Sequence, residues 1–159
     1  MLYQYVKNQF SQQYKATIGA DFLTKNIDKG EKTLQLQIWD TTGTERYNSM
    51  GQSFYRNSET CVLVLDLTVP ESFKNVEVWR NDFLSSLNPP DAATYHFVLV
   101  GNKSDMKDDI KVNNDEIEAY CKEHNNMPYF ATSVKDDINL EETFAKVAVM
   151  AFERNTKNE

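Results

Sequence analysis

Phe97-Val98-Leu99-Val100-Gly101-Asn102-Lys103-Ser104-Asp105 decides how the rest of the chain reads. Four apolar residues in a row form a strand-length run. The polar residues Asn102, Lys103 and Asp105 follow at once in the loop. An unbroken apolar run bounded by polar or turn residues is what a strand covered on both faces looks like. In open α/β sheets, ligands are held at the carboxyl ends of such strands. The reading is therefore a buried strand that delivers three chemically capable side chains to a binding edge.

Working outward, His96 to Gly101 has a counterpart in Thr60 to Asp66, a second near-continuous apolar run that also ends at a carboxylate. Both are expected to be central strands with covered faces. Thr33 to Asp40 alternates apolar and polar with period two, as a strand does when one face is better buried. Tyr129 to Thr132 reads as a short further strand. Between these runs, Phe73, Val76, Trp79, Phe83 and Leu87 fall at helical spacing, and Asn88-Pro89-Pro90 ends that helix. Ile117, Tyr120 and Cys121 mark a second helix. Leu140, Phe144, Val147, Ala148 and Ala151 draw the apolar stripe of a last one, with Asn155 to Glu159 expected to fray. Short strands alternating with helices predict an α/β domain built on a mostly parallel sheet with helices on both faces. Residues 1–159 are expected to form that one domain.

Composition narrows the functions available. Seventeen Lys and Arg against 24 Asp and Glu give a net charge of −7, and no basic block offers a polyphosphate backbone a landing strip, which argues against nucleic acid as partner. The apolar runs are far shorter than the ~18 to 20 residues of a membrane span. The opening Met1 to Asn8 lacks the layout of a secretory signal, so a cytosolic protein is expected. Cys61 and Cys121 sit in apolar patterns and read as reduced core thiols. His96 and His124 have no ligand partners at metal-binding intervals.

The polar residues at strand ends carry the chemistry. A carboxylate such as Asp105 can accept hydrogen bonds from both N1–H and the exocyclic amine of guanine, a donor pair adenine cannot supply. Thr132-Ser133-Val134-Lys135 follows the short strand and places a second loop at the same edge. Trp39-Asp40-Thr41-Thr42-Gly43 ends the alternating strand with Asp-x-x-Gly. An aspartate there can hold Mg2+ through water, and a glycine lets its N–H approach a terminal phosphate closely.

Asp-x-x-Gly, then Asn-Lys-x-Asp, then Thr-Ser-x-Lys, in that order on successive strands, resemble the small GTPases, whose fold is of the P-loop NTPase type. Ile18-Gly19-Ala20-Asp21-Phe22, Gln37-Ile38-Trp39-Asp40-Thr41 and Glu45-Arg46-Tyr47-Asn48-Ser49-Met50 resemble the segments that mark Rab proteins around their two switches. Gln13 to Lys25 is similar to the late-endosomal, Rab-seven-like branch, and the resemblance runs from about Met1 to about Phe152. It implies a GTP/GDP switch with Mg2+, acting in vesicle transport toward the late endosome, lysosome or vacuole through effectors, exchange factors and GTPase-activating proteins. By position, Thr17 matches the first-switch threonine that coordinates Mg2+ beside the third phosphate, and Asp40 with Gly43 matches the second-switch pair. Asn102, Lys103 and Asp105 match the guanine loop, the lysine stem packing on the base. Ser133, Val134 and Lys135 match the supporting loop, where Val134 stands in place of an alanine whose N–H meets the guanine carbonyl. Ile18, Gly19, Phe22, Trp39 and Phe54 match the surface that Rab effectors read, a plain core role being the alternative for the three aromatics.

Two departures from that pattern set further expectations. The sequence contains no Gly-x-x-x-x-Gly-Lys-[Ser/Thr]. Leu2 to Phe10 resembles the latter part of the helix that follows that loop, which makes the family's first strand, phosphate loop and helix start absent. In the family that strand lies between the counterparts of Thr33 to Asp40 and Thr60 to Asp66, so two strand edges are expected to lack their partner. Four lost charge-assisted phosphate contacts, at roughly 1.5 to 3 kcal/mol each, would cost about four to nine decades of affinity. Thr44 occupies the place of the glutamine that orients the attacking water, so slow hydrolysis is expected, and for this chain as written an inactive GTPase. The end of the chain also shows none of the cysteines that carry a Rab prenyl anchor, which predicts no lipid attachment here and places the late-endosomal membrane only with a lipidated form. A module that holds no nucleotide and engages Rab effectors or regulators is the alternative.

Overall fold

In the computed structural model, residues 1–13, 15–29, 32–43 and 54–158 are described. They divide into two compact units, Met1–Ser58 and Glu59–Glu159.

In the first unit, helix α1 (Leu2–Lys7) ends at Asn8, whose left-handed backbone lets its N–H return to Gln4 O. Strand β1 (Ala20–Lys29) pairs antiparallel with β2 (Lys32–Thr41), with Phe22 opposite Trp39 and Asp21 opposite Asp40. β2 follows the expected strand closely. Its place is different from the expected one, since it belongs to a two-stranded antiparallel ribbon and not to a parallel sheet. The unanticipated strand β1 explains this. Its better-buried face carries Asp21, Leu23, Lys25 and Ile27, so two charged residues interrupt the apolar alternation that would reveal a strand. Lys25 is accommodated by α1: its ammonium donates to Tyr5 O at 3.0 Å and lies 3.7 Å from the centre of the Tyr5 ring.

The second unit is a parallel three-stranded sheet in the order β3 (Cys61–Asp66), β4 (Phe97–Asn102), β5 (Tyr129–Ala131). Its helices are α2 (Pro70–Leu87), α3 (Asn114–Glu123) and α4 (Leu140–Asn158). Proline at its first turn starts α2, and left-handed Asn88 stops it before Pro89. Asn113 caps α3 by accepting from Asp115 N–H at 2.9 Å, and Asp115 and Glu116 occupy its positive end. In β4, Val98, Leu99 and Val100 are fully buried, each side chain contributing roughly 1.5 to 3 kcal/mol by leaving water. Leu63, Leu65, Val76, Phe83, Ile117, Leu140, Phe144 and Val147 complete the core.

Two expectations are corrected in this unit. β3 is not covered on both faces: Leu63 and Leu65 are buried, but Val64 between them is 51% exposed. The last helix does not fray at Asn155. It continues through Asn158 because Thr156 Oγ1 donates to Phe152 O and Glu153 O, and Arg154 is held by Asp91 and lies 4.0 Å from the Tyr95 ring centre. Both cysteines are free. Among the described residues no helix is long and apolar enough to cross a membrane.

Candidate functional site

Parallel register brings the chemistry of the second unit to one edge. Asp66 lies opposite Asn102, and Gly101 opposite Ala131, so the loops leaving β4 and β5 start side by side. Backbone bonds join them: Thr132 N–H donates to Gly101 O at 2.8 Å and Ser104 N–H to Thr132 O at 3.0 Å. The strands approach closely at Gly101, where a Cβ would lie 2.6 Å from Tyr129 Oη and 2.8 Å from a Leu67 methyl.

Side chains then tie the loops into a single piece. Ser133, fully buried, donates its hydroxyl to Asp105 Oδ1 at 2.7 Å and accepts from Asp136 N–H at 3.0 Å. Asp105 is thereby oriented, and its Oδ2 has no partner among the described residues, leaving acceptor capacity for a ligand with two adjacent donors. Asn102 Oδ1 accepts from Thr132 Oγ1 at 3.3 Å and from Val134 N–H at 3.2 Å. The Val134 N–H anticipated for a base carbonyl is spent on Asn102, while the neighbouring Lys135 N–H has no partner among the described residues. Lys103 is in the left-handed region, φ +68, and its ammonium contacts Asp66 Oδ2 at 2.6 Å. A guanine ring fits this donor set: a carboxylate acceptor, a backbone N–H and an exposed lysine stem. Asp66 is the residue that strand patterns did not flag as functional; only its place at a strand end hinted at it.

The remaining predicted residues lie in the first unit. Thr17, Ile18 and Gly19 occupy the segment before β1, and Ile18 is 85% exposed. Gly19 has φ +74, a conformation that needs glycine, and its carbonyl accepts from Thr42 N–H at 3.0 Å. Asp40 stands near the end of β2, facing Asp21 in register. Desolvation pushes its carboxyl above the ordinary range, the Met1 ammonium pulls it down, and Asp21 adds to the rise. Gly43 is exposed with open space around it. Phe22 and Trp39 stack at 4.5 Å, Trp39 and Phe54 at 5.2 Å, and Phe22 and Trp39 remain more than two-fifths exposed. Thr44 lies outside the described residues.

Comparison with known proteins adds what one chain cannot. The Ras family profile matches residues 1–153. The chain belongs to the Ras family. Ras-related protein RABG3a of Arabidopsis thaliana is 46% identical over 153 residues, 95% of this chain and 74% of the relative. Ras-related protein Rab7 of Drosophila melanogaster is 44% identical over 159 residues, 100% of this chain and 76% of the relative. Ypt/Rab-type GTPase ypt7 of Schizosaccharomyces pombe is 44% identical over 151 residues, 94% and 74% respectively. Within the Ras family this is a Rab7-like small GTPase, spanning about three quarters of the length of these relatives. Ras-family members bind GTP or GDP with Mg2+, hydrolyse GTP and work as switches through effectors, exchange factors and GTPase-activating proteins.

Proposed function

We propose that this chain reads guanine nucleotides through Asn102, Lys103 and Asp105, supported by Ser133, Val134 and Lys135, as the base-binding part of a Rab-type switch. The observation that carries the reading is the Ser133–Asp105 bond at 2.7 Å, which aims a carboxylate at the strand edge where the two loops meet. Guanine N1–H and its amine would donate to Asp105, its carbonyl oxygen would accept from Lys135 N–H, and the Lys103 stem would cover the ring. Thr17 and Asp40 would serve Mg2+, the latter through water, and Gly43 the terminal phosphate. Both units act as one GTPase domain in this reading. Likeness to Rab7-type proteins supports a role in traffic to the late endosome, lysosome or vacuole.

Fluorescent GDP and ADP titrated into the purified chain test the proposal. GDP is expected to bind at least tenfold better than ADP, weakly in absolute terms because the phosphate loop pattern is missing, with Asp105→Ala abolishing the preference. Equal binding of the two, or submicromolar GDP binding untouched by Asp105→Ala, would count against it. Thr44 adds a kinetic expectation: single-turnover GTP hydrolysis is slow and rises in Thr44→Gln.

A second reading rests on the aromatic trio Phe22, Trp39 and Phe54, whose rings pack in succession with Phe22 and Trp39 exposed on the β1–β2 ribbon. It makes the chain a nucleotide-free module that occupies Rab effectors or regulators. Retained effector binding at zero nucleotide, lost in Trp39→Ala, would favour it.

A further inference from the structure

We propose that Asp66 is the positioning residue of Lys103, holding its ammonium across the carboxyl ends of β3 and β4 so that its stem and left-handed backbone are set before a base arrives. The inference rests on the reading of Asn102 to Asp105 as a guanine loop. Asp66 lies opposite Asn102 in register, so its carboxylate reaches the next residue along, and Lys103 Nζ meets Oδ2 at 2.6 Å.

The carboxylate is itself immobilised. Its other oxygen accepts from Thr68 N–H at 2.9 Å and Thr68 Oγ1 at 2.7 Å. Ser72 Oγ accepts from the Asp66 N–H at 2.9 Å, and its own hydrogen is shared between the Asp66 and Val69 carbonyls at 2.9 and 2.7 Å. Burial alone would raise the Asp66 pKa, but the bonds from Lys103 and Thr68 together with the lysine charge outweigh it and hold the group below the ordinary carboxylate value. The acceptor is therefore ionised throughout the neutral range.

Lys103 needs such a hold. Among the described residues, eight non-glycine residues have positive φ; six are asparagine, one is aspartate, and Lys103 is the other. Asparagine and aspartate tolerate that region through local hydrogen bonds, but a lysine does not have that compensation. A merely structural staple between β3 and β4 is unneeded, because the strands are already paired in register from Cys61 to Asp66.

The test uses the full chain with Asp66→Asn, which keeps size and the Thr68 bond, Asp66→Glu, Lys103→Met and the double variant Asp66→Asn/Lys103→Met. Without nucleotide, NMR couplings and carbon shifts report the Lys103 backbone. The left-handed signature is expected to weaken in Asp66→Asn and to be recovered at least in part in Asp66→Glu. With fluorescent GDP, Asp66→Asn should weaken binding by about tenfold and have no further effect in the Lys103→Met background, at an unchanged melting midpoint. An unaltered Lys103 signature in Asp66→Asn, or an equal loss of affinity with and without Lys103, overturns the proposal. Should the unmodified chain take up no GDP, the guanine reading falls, and the Lys103 signature alone then decides the positioning role in either direction.

Discussion

Gly101 shows what one hydrogen in place of a methyl group does at the candidate site. A Cβ there would meet Tyr129 Oη at 2.6 Å and Leu67 at 2.8 Å, in a strand with no slack. Gly101→Ala is expected to destabilise by about 1 to 3 kcal/mol through overpacking, read as a lowered melting temperature, and to cost less in a Tyr129→Phe background, which lacks the nearest atom. No difference between the two backgrounds would show that the clash is relieved elsewhere. Residue-scale chemistry was legible where it is local. Asn102, Lys103 and Asp105 announce themselves because an apolar strand stops and polar groups begin. Asp66 could not be placed that way, since its partnership with Lys103 comes from strand register between segments far apart in the chain. The engagement of Val134 N–H by Asn102 is likewise a matter of tertiary geometry.

At the level of elements, β3 has β4 on one side only. Cys61 N–H donates to His96 O and Leu67 N–H to Asn102 O, so odd-numbered residues face β4. Val62 and Val64 turn their N–H groups the other way, where no described strand pairs with them. Amide hydrogen exchange should therefore alternate along β3, with Leu63 and Leu65 protected and Val62 and Val64 fast. Uniform protection would mean that the outer edge is paired in solution. The helices were legible from their apolar stripes and stop signals. β1 was not, because charged Asp21 and Lys25 sit on its better-buried face.

For the molecule as a whole, the two compact units are unequal in what supports them. The named elements among the described residues of Met1–Ser58 are a two-stranded ribbon and a six-residue helix, and two strands alone are marginal in water. Glu59–Glu159 has a three-stranded sheet, a central strand buried from Phe97 to Gly101 and three longer helices. Native-state exchange under mild denaturant should open β1 and β2 at lower free energy than β4. A single shared opening energy would show that the two units unfold as one. This inequality follows the sequence pattern, in which the continuous apolar runs all fall after Thr60.

The left-handed backbone of Lys103 also bears on how this chain would drift. Replacing it with asparagine would relieve about 1 kcal/mol of backbone strain and forfeit a partly exposed ion pair of similar or smaller size. Selection for thermal robustness alone would thus leave the position free to change, or favour the change. On the guanine-loop reading proposed above, a lysine kept there answers a demand from the bound base, and laboratory evolution without that demand should erase it early.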